Sequence, residues 1–107
     1  MQNIAAIDAG SNGIRMAVAR LGPDGRLQVL SSARAPVRLG GDAFAHGQIS
    51  EPTMQVVAET FARFRKTAAD LMVTRLRAVA TSAMREAGNS DVLIDRIARE
   101  TDINVEV

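Results

Sequence analysis

The sequence predicts a mixed α/β fold of element order β-β-β-α-β-α-β, built on one sheet of strand order 3-2-1-4-5. Three observations carry this prediction. Three extended apolar segments separated by glycine-rich turns occupy residues 1–39, a long helical apolar period follows at residues 51–72, and two later apolar runs are separated by a second helical segment.

The first apolar run, Ile4-Ala5-Ala6-Ile7, ends at Asp8 and Gly10. Four apolar residues without alternation suit a central strand buried on both faces. After the four-residue turn Gly10-Ser11-Asn12-Gly13, the segment Ile14–Leu21 is apolar at Ile14, Met16, Val18 and Leu21, with Arg15 and Arg20 between them. These two strands form a hairpin. A second turn, Gly22-Pro23-Asp24-Gly25, leads through Leu27 and Val29 into an extended stretch reaching Leu39 and interrupted by Pro36. Proline has no N–H to give a ladder, which puts the third strand at an edge.

Residues Gly40-Gly41-Asp42 to Gly47 read as a loop, and Ser50 as the cap of a helix beginning at Glu51-Pro52. Met54, Val57, Ala58, Phe61, Phe64, Ala68, Leu71 and Met72 recur at helical spacing and make an amphipathic helix of about six turns. Leu76 to Thr81 reads as the fourth strand. Asn89 or Ser90 caps a second helix carrying Val92, Leu93, Ile94 and Ile97, and Ile103 to Val107 reads as the fifth strand. An antiparallel meander followed by two right-handed crossovers in one direction puts both helices on the same face of the sheet. The other face is left uncovered, for a continuation of the chain past Val107 or for another chain.

The composition sets bounds on function. With 107 residues the chain can bury one small core, and a two-domain enzyme does not fit. Apolar residues make up 47% and charged residues 23%, the profile of a folded soluble domain, and a net charge of +1 points to neither nucleic acid nor membrane. There is no cysteine, which excludes disulfides and thiolate metal sites; His46 is the one histidine, with no second ligand at metal spacing. No apolar run is long enough for a membrane span, and Met1 leads into the first strand without a basic segment or cleavage site, so a cytoplasmic protein is expected. A Ser/His/Asp set, a Walker lysine loop and a Gly-x-Gly-x-x-Gly fingerprint are all absent.

Chemistry concentrates in two loops at the carboxyl ends of the first and fourth strands, where ligands of parallel sheets gather. In Asp8–Gly13, glycines allow the backbone to turn tightly and approach an anion, and Ser11 and Asn12 add side-chain donors. An ordinary hairpin turn uses the same residue types. In Thr81-Ser82-Ala83-Met84-Arg85, Thr81, Ser82 and Arg85 are expected to project toward the same crevice. Arg85 offers a planar, permanently charged fork that suits phosphate. Arg15 and Arg38 add positive charge or simply solvate a strand face. Asp8 could orient a metal-bound water or bond its own turn.

Three segments together carry a family resemblance: Ala6-Ile7-Asp8-Ala9-Gly10-Ser11-Asn12-Gly13-Ile14-Arg15, Val37-Arg38-Leu39-Gly40, and Ala80-Thr81-Ser82-Ala83-Met84-Arg85-Glu86-Ala87-Gly88-Asn89. In this order the chain resembles the exopolyphosphatase and guanosine pentaphosphate phosphohydrolase family. The first segment also echoes sugar kinases and actin. The resemblance implies an actin-like ATPase (ribonuclease H-like) half-domain, with residues 1–107 forming the amino-terminal part of the first of two lobes. It further implies magnesium-assisted hydrolysis of terminal phosphoanhydride bonds in polyphosphate or guanosine penta/tetraphosphate. On that basis Gly10, Ser11, Asn12, Arg15, Arg38, Thr81 and Ser82 bind substrate, Arg85 is catalytic, and Asp8 lies at the metal. The full-length form could be a homodimer. The family's glutamate-rich turn, which supplies the general base, and its second phosphate loop are expected beyond Val107, so the chain alone is expected to be inactive. A sugar or acetate kinase-like member of the same fold and a non-catalytic module binding phosphate or alarmone are the competing readings.

Overall fold

A computed structural model describes all 107 residues. Strands β1 (Gln2–Ala9), β2 (Ile14–Leu21) and β3 (Leu27–Ala35) form the meander. Helices α1 (Leu39–His46) and α2 (Glu51–Asp70) follow, then β4 (Arg75–Ala80), α3 (Ser82–Glu86), α4 (Ser90–Thr101) and β5 (Val105–Glu106). The five strands make one sheet of order β3-β2-β1-β4-β5, as expected from the sequence. β1 runs antiparallel to β2, from Gln2 opposite Leu21 to Ala9 opposite Ile14, and parallel to β4, from Ile4 opposite Arg75 to Ala9 opposite Ala80. No helix is long and apolar enough to cross a membrane.

β1 is central in the sheet but is buried on one face only. Ala5, Ile7 and Ala9 are buried, whereas Ala6 and Asp8 are exposed, which corrects the expectation of two covered faces for this strand. The cause is the topology itself, since crossovers of one hand and direction put α2 and α4 together on one side. The buried row continues through Ile14, Met16 and Val18 of β2 and Ala78 and Ala80 of β4. Against it α2 turns Met54, Val57, Ala58, Phe61, Phe64 and Ala68, and α4 turns Leu93 and Ile97. Arg96 ties the two helices on their outer side, reaching Glu51 (2.8 Å) on α2 and Glu100 (2.7 Å) on α4, with a further contact to Gln55.

Several boundaries depart from the expected ones for identifiable reasons. Residues 39–46 form a helix, although the pair Gly40-Gly41 reads as loop. Leu39 and Ala43 are buried and Gly47 closes the helix in the left-handed region (φ 69°), so tertiary burial outweighs the weak propensity of two glycines. The Thr81–Arg85 loop likewise contains a short helix, whose Ala83 and Met84 are buried. β3 stops at Ala35, immediately before Pro36, rather than reaching Leu39.

α2 ends two residues short of Met72. Met72 adopts φ 58° and is exposed; Val73 N–H donates to Ala68 O (2.9 Å) and Met72 N–H to Ala69 O (3.0 Å), the two bonds of a Schellman stop. Within α4, Val92 is also exposed. Ser50 caps α2 as expected, accepting from Thr53 N–H at 3.3 Å.

Asn89 precedes α4 but its side chain does not cap it. The amide instead pairs with the Ile49 backbone, donating from Nδ2 to the carbonyl and accepting at Oδ1 from the N–H, both at 2.9 Å. Hydrogen bonds from Thr53 and Ser50 hold the Asp42 carboxyl below its usual range, with Ser50 N–H at 3.1 Å and Ser50 Oγ at 2.8 Å from Asp42 Oδ2. These contacts pin the end of α3 and the body of α1 to the start of α2.

Candidate phosphate site

The hairpin between β1 and β2 is closed by Gly10 N–H donating to Gly13 O at 2.9 Å. Neither glycine has positive φ, so turn geometry is not what calls for glycine here. At Gly13 the need is space, because a Cβ would lie 3.2 Å from Arg34 Nε and 3.3 Å from Ala35 O. At Gly10 a Cβ would meet only Gly13 O, at an ordinary 3.5 Å.

The second loop starts beside the first. Thr81 N–H donates to Ala9 O at 3.2 Å, continuing the parallel pairing of β1 and β4 by one residue. Thr81 and Ser82 are exposed there, and the Thr81 side chain makes no capping bond. Arg85 lies one helical turn further along, exposed, with its N–H held by Thr81 O at 3.2 Å. Ala83 and Met84 anchor the same helix in the core.

α1 links the two loops at their backs. At its start, Gly40 N–H donates to Ser11 O at 2.8 Å; at its end, Gly88 N–H donates to Gly47 O at 2.8 Å. The first contact is close enough that a Cβ on Gly40 would stand 3.0 Å from Ser11 Cβ and 3.1 Å from the Phe44 ring. The position of the hairpin loop is therefore set partly by a glycine of α1.

Asp8, Gly10, Asn12, Gly13, Arg15 and Arg34 line a concavity of about 230 Å³ at the hairpin mouth. Asp8, Arg15 and Arg34 fall in a single row across β1, β2 and β3, on the uncovered face. None of the three side chains takes part in an ion pair. Arg34 is the site residue that sequence reasoning did not identify. Arg38, expected at the site from the sequence, immediately precedes α1 and lines a separate concavity with Pro36, Val37, Gly41, Asp42, Pro52, Thr53 and Val56. Ser11, Thr81, Ser82 and Arg85 do not line the concavity at the hairpin mouth, which corrects the expectation that the second loop projects into the same crevice.

The mouth can present an anion with backbone amides, the Asn12 amide and the guanidinium groups of Arg15 and Arg34, at the carboxyl end of β1 beside that of β4. As a cation site it is sparse. No group of three His, Asp or Glu side chains is positioned to hold a metal ion, and Asp8 is the one carboxylate at the mouth. Magnesium commonly takes one or two protein carboxylates and fills its remaining positions with water and substrate phosphates, so Asp8 fits as a single protein ligand.

Residues 17–107 match the Ppx/GppA phosphatase family. The chain belongs to that family. It is 32% identical over 104 residues to exopolyphosphatase 1 of Mycobacterium leprae, covering 97% of this chain and 31% of the relative. It is 33% identical over 92 residues to the guanosine-5′-triphosphate,3′-diphosphate pyrophosphatase of Vibrio parahaemolyticus, covering 86% of this chain and 18% of the relative. The crystal structure of the Aquifex aeolicus Ppx/GppA family member superposes with a TM-score of 0.94 at 29% identity, covering 99% of this chain and 34% of that one. The fold is thus the actin-like ATPase fold of the Ppx/GppA proteins, and the chain spans about a third or less of the length of these relatives.

Proposed function

We propose that these 107 residues are the phosphate-binding part of the first lobe of a phosphohydrolase that removes terminal phosphoryl groups from inorganic polyphosphate or guanosine pentaphosphate. The observation that carries this reading is the hairpin mouth of Asp8–Arg15, with its free amides and unpaired arginine, set beside Thr81–Arg85 in a chain of the Ppx/GppA family. Gly10, Ser11 and Asn12 would hold a phosphoryl group, Thr81 and Ser82 would add hydroxyl donors, and Arg15 and Arg85 would neutralise its charge. Arg38 would contribute positive potential from the neighbouring concavity. Asp8 would hold magnesium together with the substrate's own phosphates, and the ion would supply further charge neutralisation when bound.

Activation of water needs a base that this reading places outside the 107 residues. Glu106 is not given the role, because it lies within β5 rather than in a glutamate-rich turn, and its carboxylate pairs with Arg77 at 2.7 Å. The chain by itself would therefore bind phosphate without hydrolysing it. A cytoplasmic, homodimeric full-length enzyme belongs to the same reading.

The test is phosphate release by the full-length protein from polyphosphate and from guanosine pentaphosphate, run beside phosphate transfer from ATP to sugars or acetate. Hydrolysis of either of the first two is the expected result. Transfer from ATP without hydrolysis would replace the reading with a kinase, and binding of phosphate or alarmone with neither activity would replace it with a non-catalytic module.

Gly40 gives a finer test of the loop geometry. Alanine at a helical glycine ordinarily adds about 0.5–1 kcal/mol of stability. Here the added methyl also presses on Ser11. Gly40→Ala is expected to keep its melting temperature within a few degrees while phosphate affinity falls several-fold. Calorimetric titration with orthophosphate checks this, and undiminished affinity would show that phosphate binding does not depend on the position of Ser11.

A further inference from the structure

The pairing of Arg15 with Arg34 is the feature of the uncovered face that the family roles above leave unused. Two arginines lie directly opposite each other on β2 and β3, both exposed and both without an acidic partner. Like charges directly opposite on neighbouring strands destabilise a sheet, and one neighbouring carboxylate, Asp8, stands against two guanidinium groups. Asp8 stands opposite Arg15 on the other side, but it forms no ion pair with it.

Arg34 reaches this position through an irregularity of the sheet. From Leu21 opposite Leu27 to Ala19 opposite Val29, the β2–β3 hairpin keeps one register; from Val18 opposite Ser31 onward it is shifted by one residue. Without that bulge Arg15 would face Ala33, and Arg34 would point to the other side of the sheet. The extra residue thus brings Arg34 to the hairpin mouth. Once there, its side chain packs over Gly13, at a position where a Cβ would crowd Nε at 3.2 Å.

The surroundings indicate what the pair would hold. Asp8, Arg15 and Arg34 line two adjoining concavities: the mouth at Gly10–Gly13, and a trough on the open face floored by Ala6, Ala17 and Ser32. The loop amides with Ser11 and Asn12 can already serve the oxygens of one phosphoryl group. Two guanidinium forks, with five N–H donors each, add far more donor capacity than that group needs. They sit where a ligand leaving the loop passes onto the open face.

We propose that Arg34, together with Arg15, grips the second phosphoryl group of a phosphoanhydride substrate, next to the one held by the hairpin loop. Arg34 is then a residue that selects chains of phosphate over orthophosphate. This inference rests on the phosphohydrolase reading, and its test separates the two.

The probes are orthophosphate and the non-hydrolysable imidodiphosphate, titrated calorimetrically into the full-length protein with magnesium present. Arg34→Ala is expected to weaken imidodiphosphate binding by about tenfold or more, the worth of a charge-assisted hydrogen bond, and to change orthophosphate binding less than twofold. Arg34→Lys should recover part of the loss. Arg65→Ala, which removes an equal charge from the exposed side of α2, should change neither affinity more than twofold. Equal loss for both probes, equal loss in Arg65→Ala, or no loss in Arg34→Ala would overturn the role of Arg34 while leaving the phosphate site standing. Failure of the unaltered protein to bind either probe would remove the phosphate site and this proposal with it. Thermal unfolding of each variant distinguishes a lost contact from a damaged edge strand.

Discussion

Replacing Phe61 with alanine is expected to destabilise the protein by about 3–5 kcal/mol, the usual range for a fully buried aromatic in a close-packed core. Phe61 is completely inaccessible to solvent and belongs to the stripe of α2 that faces the sheet and α4. Its removal takes apolar surface out of a packed environment and leaves a cavity that other side chains of the same buried core can fill only by moving away from contacts of their own. Domains of this kind are stable by only about 5–15 kcal/mol, so the loss is a large part of the whole.

Urea unfolding followed by circular dichroism measures the effect. The comparison is Val56→Ala, on the same helix but half exposed, where the change should stay within about 0.5 kcal/mol. Similar midpoints for the two variants would mean that α2 does not carry the core. The consequence extends to the site, because α2 also receives Ser50 and Ile49, through which Asp42 and Asn89 fix α1 and the end of α3.

Much of this arrangement was legible in the residues. The period of Met54, Val57, Phe61 and Phe64 identified the helix and its buried face, and the succession of hairpins and crossovers defined the sheet order, because right-handed connections leave few alternatives. What stayed hidden depended on contacts between distant segments. Residues 39–46 contain two glycines, and only the burial of Leu39 and Ala43 makes them a helix. Asn89 has the composition of a cap, yet a partner forty residues away takes its side chain.

Arg34 was missed for a related reason. Counting residues from the Gly22–Gly25 turn with an even register puts Ala33, not Arg34, opposite Arg15, and nothing in the local sequence around Leu30 announces a bulge. The turn Asp8–Gly13 is legible from its glycines and its place after the first apolar run. The physical role of the glycines is not, since the structure ties Gly13 to the approach of a side chain rather than to positive φ.

On the proposed phosphohydrolase reading, Arg85→Ala in the full-length protein is expected to lower kcat by about 10²- to 10³-fold with little change in KM, the effect of removing a charge that meets the phosphoryl group only in the transition state. The structure makes this a clean substitution. Arg85 is exposed and bears no ion pair, and the helix that carries it is anchored by Ala83 and Met84, so the fold should not register the change. Its backbone N–H, bonded to Thr81 O, survives the substitution. Arg85→Lys retains the charge but not the planar fork, and should recover only part of the rate if two phosphoryl oxygens are engaged at once. The split between parameters is what decides. A raised KM with unchanged kcat would show that Arg85 holds the ground state and the transition state equally, which would make it a binding residue and move the charge neutralisation of the reaction to other groups.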